Sequence, residues 1–114
     1  MIDLPVMKNV LEVDAAEFKL ATRIFSGKRY KLGQALLAFE GGFLSIESGD
    51  ATAVMRATGE WHGRVTFSPE VLRAIAMVPP AGNPIVIAYA DGHLLFSNLT
   101  FVCQWHNVSQ ALIS

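Results

Sequence analysis

Residues 37–46 read LAFEGGFLSI, and fifty positions later residues 87–96 read IAYADGHLLF. A chain of 114 residues that writes one pattern twice is bound to a small set of folds, because each copy must form the same local structure and neither can close a core alone. Both copies place an apolar run before a two-residue turn and resume with large apolar residues. Asp91-Gly92 is a strong hairpin turn, since both central positions of the favoured turn need positive φ. Gly41-Gly42 serves the same purpose.

The repeat extends to the helices. Asp14 with Glu17 three positions on is a helix start in which the two side chains can satisfy orphan backbone donors reciprocally. Ser68-Pro69-Glu70 is a second start, with Ser as cap and Pro at the first helical position, where its missing N–H costs nothing. These caps stand 54 positions apart, so Phe18 corresponds to Leu72, Ala21 to Ile75 and Lys19 to Arg73. Each helix is expected to turn its apolar residues inward, and the second stops at Pro79-Pro80.

After the first helix, FSGKRYKLG is expected as a loop, followed by strands near Gln34 to Phe39, Phe43 to Ser48 and Thr52 to Ala57. Ser48-Gly49-Asp50 turns the chain between the last two. After the second helix, strands are expected near Pro84 to Tyr89, His93 to Ser97 and Thr100 to Trp105. Short strands near Leu11 to Val13 and Arg64 to Phe67 lead into the helices. The expectation is one α+β domain over residues 1–114, a duplicated β-α-β-β-β unit with halves at about 10–58 and 63–106. Two such units related by a pseudo-twofold axis would pack together with both helices on one side of the antiparallel sheet system.

Bulk composition narrows the function classes. Hydrophobic residues make up 52% of the chain and charged residues 17%, so much of the surface must be buried within the fold or against a partner. The net charge of −1 carries no overall signature of nucleic acid or an anionic membrane, and leaves such binding to local patches. A single cysteine excludes an intramolecular disulfide framework, and the start MIDLPVMK lacks the pattern of a signal peptide. A cytoplasmic location is the default expectation. No apolar stretch approaches the roughly 20 residues that span a bilayer.

No catalytic signature emerges, and neither an enzyme nor a cofactor is expected. Cys103 and His106 have a spacing found in zinc sites, but a structural zinc wants four ligands and the second pair is missing. Gly27-Lys28 resembles part of a phosphate-cradling loop, yet that loop needs an earlier Gly and a Ser or Thr after the Lys, where Arg29 stands. His62 and His93 have no neighbouring nucleophile or paired carboxylate in sequence.

The VDAAEF helix start, the LLAFEGGFLSIESGDATAVMRA meander, the VTFSPEVLRAIAMVPP element and the IVIAYADGHLLFSNLTFVCQW hairpin pair together resemble one domain of the DNA sliding clamps. The likeness is strongest to the bacterial clamp that serves as processivity factor of the replicative polymerase, and it covers roughly residues 10 to 106. It implies a ring of such domains, sheets outside and helices inside, around duplex DNA, with replication proteins as partners. Sliding asks only for a modestly positive inner wall without base readout. Lys19, Arg23 and Arg73 would line that wall, although isolated basic residues are also ordinary on solvated helix faces.

Clamp subunits carry two or three such domains, so a ring of this chain would take six copies joined head to tail through edge strands. A monomer, a dimer or a subunit that caps another clamp is equally permitted by the pattern, but exposed sheet edges are a liability unless paired, so a homo-oligomer is expected over a bare monomer. The alternative is a protein-interaction module that reuses the fold without touching DNA. Lys28, Arg29 and Lys31, with Tyr30 between them, form the densest basic cluster and are candidates for DNA phosphates or an acidic partner. Trp61, in the Gly-flanked connector between the halves, is an interface candidate, although a Trp in such a place usually packs beneath its loop. Leu112 and Ile113, in the tail SQALI, are candidates for docking against a neighbour.

Overall fold

Asp14 and Ser68 both start helices, for the reasons their chemistry gives. The Asp14 carboxylate accepts from the Glu17 N–H at 3.0 Å, and the Ser68 hydroxyl accepts from the Glu70 N–H at 3.1 Å. Helix α1 spans Ala15–Thr22 and helix α2 spans Pro69–Met77. The reciprocal half of the expected Asp14–Glu17 box is replaced by another contact. Glu17 turns its carboxylate to Arg56, accepting from that residue's backbone N–H at 2.9 Å.

The computed structural model describes residues 9–27 and 34–107. Among these are ten strands, β1 Val10–Val13, β2 Ala35–Glu40, β3 Phe43–Ser48, β4 Ala51–Arg56, β5 Thr58–Glu60, β6 Gly63–Phe67, β7 Ile85–Ala90, β8 His93–Phe96, β9 Leu99–Val102 and β10 Gln104–Asn107. They form two antiparallel five-stranded sheets, ordered β5-β1-β7-β8-β9 and β10-β6-β2-β3-β4. Each sheet therefore takes strands from both halves of the chain. β1 pairs with β7, and β6 pairs with β2, so neither half's sheet is complete without the other half's leading strand.

Two differences from the sequence expectation share one cause. The strand expected at Thr100 to Trp105 is broken at Cys103, and a short strand, β5, follows β4 where none was expected. At both places the chain turns a corner and crosses to the opposite sheet. Ala57 donates its N–H to the Gly42 carbonyl and Cys103 donates to the Gly92 carbonyl, each at 3.0 Å, so each corner is pinned to the hairpin turn of its own half. The order of elements is thus a strand, a helix and four strands, twice. The expected loop after α1 also begins later than predicted, because Arg23–Ser26 continues as a 3-10 helix.

The hairpin turns adopt the positive φ their residues suggest, with Gly41 and Gly42 at 61° and 86° and Asp91 and Gly92 at 49° and 81°. Alternate strand residues then point to one side. Leu37, Leu44, Ile46, Met55, Ile87 and Phe96 are buried there, under Phe18 of α1 and Leu72 and Ile75 of α2. A fully buried side chain of this size contributes about 1.5–3 kcal/mol, which makes this common core the dominant stabilising term. Phe96 ties its parts together, lying 5.9 Å from Phe18 and 5.6 Å from Phe101, ring centre to ring centre.

Candidate interface on the helices and sheet edges

The residues expected to line a DNA-facing wall fall into different settings. Lys19 and Arg23 are exposed on α1 and the 3-10 helix that follows it. Arg73 is only half-exposed, and its Nε donates to the Ser26 carbonyl at 3.2 Å, joining α2 to the 3-10 helix. Its guanidinium thus has an internal task, since it satisfies a carbonyl at a helix C-terminus. Lys28, Arg29 and Lys31 lie outside the described residues, as do Leu112 and Ile113.

Lys19 and Arg23 are interleaved with apolar side chains that the sequence reading did not single out. Leu20 is 67% exposed and Ile24 44%, so this helical face is amphiphilic rather than purely basic. The signal for Leu20 was present in the sequence, because AAEFKLAT has apolar residues on more than one side of the helix. At the C-terminal end of α2, Met77 and the following Val78 are exposed as well.

Beside them a groove of about 530 Å³ runs between α2 and β9, bordered by Val71, Ala74, Met77, Val78, Leu99 and Phe101. The corresponding seam of the first half is bridged by side chains. There Ala51, Ala53 and Met55 of β4 are buried, and Glu17 clasps Arg56 through the backbone hydrogen bond and an ion pair at 3.6 Å. Leu99 remains exposed and Phe101 half-buried on β9.

Trp61 is not available as an exposed anchor. It is buried at the crossing from β5 to β6 and packs on Trp105 at 5.6 Å, while Trp105 lies 4.5 Å from Tyr89. The connector is held by Asn9, whose side chain accepts from the His62 N–H at 2.8 Å. The Trp61 indole N–H has no hydrogen-bond partner, a burial that costs on the order of 1–3 kcal/mol and is offset by the ring's apolar contacts.

A second, polar cleft of about 410 Å³ lies at the start of α1, with Glu12, Asp14, Glu17, Arg56 and Asn83 along it. Two of these side chains serve the helix itself. Asp14 caps it, and Asn83 accepts from the Ala15 N–H at 3.1 Å. Cys103 and His106 do not converge, since the thiol is buried while the imidazole is exposed and lies 3.2 Å from the Thr66 hydroxyl. No group of three metal-ligating side chains occurs among the described residues, and no described helix is long and apolar enough to cross a membrane.

The sheet edges are the remaining surface. Among the described residues β4 and β5, with β9 and β10, have one side unpaired. β5 and β10 have three and four residues, whereas β4 has six and carries Val54 at 56% exposure. Val102 on β9 is 72% exposed. Apolar residues on an unpaired edge favour pairing with another chain. Comparison with family models, curated proteins and solved structures gives no match for this chain.

Proposed function

We propose that this domain is a non-enzymatic assembly module of the clamp type, a duplicated unit that self-associates through its sheet edges. The observation that carries the reading is the reciprocal sheet topology. Each half lends its leading strand to the other half's meander, and this leaves β4 and β9 as corresponding edges at opposite ends of the two sheets. Pairing of β4 from one copy with β9 from the next is heterologous, and it closes into a ring only if its rotation divides a full turn. The clamp resemblance sets that number at six copies.

A DNA-contacting version of this module is the second reading. It is favoured by Lys19 and Arg23, which are both exposed one turn apart and are not engaged in any described ion pair. The interleaved Leu20 and Ile24 and the net charge of −1 favour protein contact instead. Assembly is therefore the leading function, and duplex DNA and replication proteins are partners of the second reading.

Light scattering coupled to size-exclusion chromatography, at low and at physiological salt, tests the assembly directly. A mass of six copies supports a closed ring and calls for retention assays on circular and linear duplex DNA. A ring that encircles DNA stays on the circle and runs off the linear ends. A protein that stays strictly monomeric over a wide concentration range overturns the assembly reading. Retention that is equal on both DNA forms, or absent, overturns the encircling one.

A further inference from the structure

We draw no further inference here: the strongest candidate, the apolar groove between α2 and β9 bordered by Met77, Val78 and Leu99, is an unpartnered face, and nothing in the structure shows what covers it.

Discussion

Cys103 sits at the corner where the chain leaves β9 and enters β10, and the residue is 7% exposed. Burial raises its pKa, because the thiolate would lose water it cannot replace. The folded state therefore holds the thiol proton to higher pH than the unfolded state does. The stability this contributes is full below the unfolded thiol's ordinary value and is lost as the pH rises from there through the folded value. Cys103→Ala should flatten that alkaline loss in urea titrations taken from neutral pH to the alkaline range, whereas an unchanged slope would show that the thiol is not its source. Native protein should also react with a thiol-specific disulfide reagent far more slowly than urea-unfolded protein at the same pH. Gly63, at the start of β6, is constrained by a neighbour instead. A Cβ there would come within 2.5 Å of the Trp105 ring and 2.6 Å of the His106 carbonyl, so β10 or the aromatic pair has to shift. Gly63→Ala should cost about 2 kcal/mol or more in urea unfolding, in the range of overpacked cores, with a change in Trp fluorescence. Wild-type stability in that variant would mean that the Trp61–Trp105 pair is loosely held.

Among the elements, the clearest contrast is between the seam of α1 with β4, which Glu17 and Arg56 bridge, and the open seam of α2 with β9. Glu17 bridges the first, and its main contact is with a backbone N–H rather than with the Arg56 side chain, which is 79% exposed. Removing the acceptor leaves an edge amide to water, at a cost of about 1 kcal/mol. Removing the exposed guanidinium should cost less than about 0.5 kcal/mol. Glu17→Ala should therefore lower the urea midpoint clearly more than Arg56→Ala does, and equal effects would assign the clasp to the ion pair. This seam also marks where the sequence stops being readable. The paired caps, the hairpin turns and the alternation along β2, β3, β7 and β8 all follow from local chemistry, so their positions agree with expectation within a residue or two. The corners at Ala57 and Cys103 do not, because each is pinned by a hydrogen bond to a turn residue, fifteen positions back for Ala57 and eleven for Cys103. Nor did the helix pattern foretell that Arg73 would bind Ser26, whereas the burial of Trp61 is what a Trp in a Gly-flanked connector usually shows.

For the whole molecule, the exchange has a consequence for assembly. Since β1 completes one sheet and β6 the other, the halves cannot separate without breaking both sheets, and the domain is expected to behave as one cooperative unit. Association must then use surface already present on that unit, and the proposed surface is the pair of edges at β4 and β9. Val54 and Val102 stand on those edges with little contact to the core, so replacing either with Lys should change folding stability by no more than about 0.5 kcal/mol. A lysine on an edge strand opposes pairing, because its charge would have to be desolvated against the incoming chain. Val54→Lys and Val102→Lys should each lower the mass measured by light scattering, and they should do so separately, because a heterologous contact needs both edges. An isologous contact predicts a different pattern, in which only one of the two substitutions matters and the assembly is a dimer. If both variants keep the parent's oligomeric mass and urea midpoint, the edges are not the interface, and the exposed Leu20, Ile24, Met77 and Val78 of the helical face become the surface to mutate next.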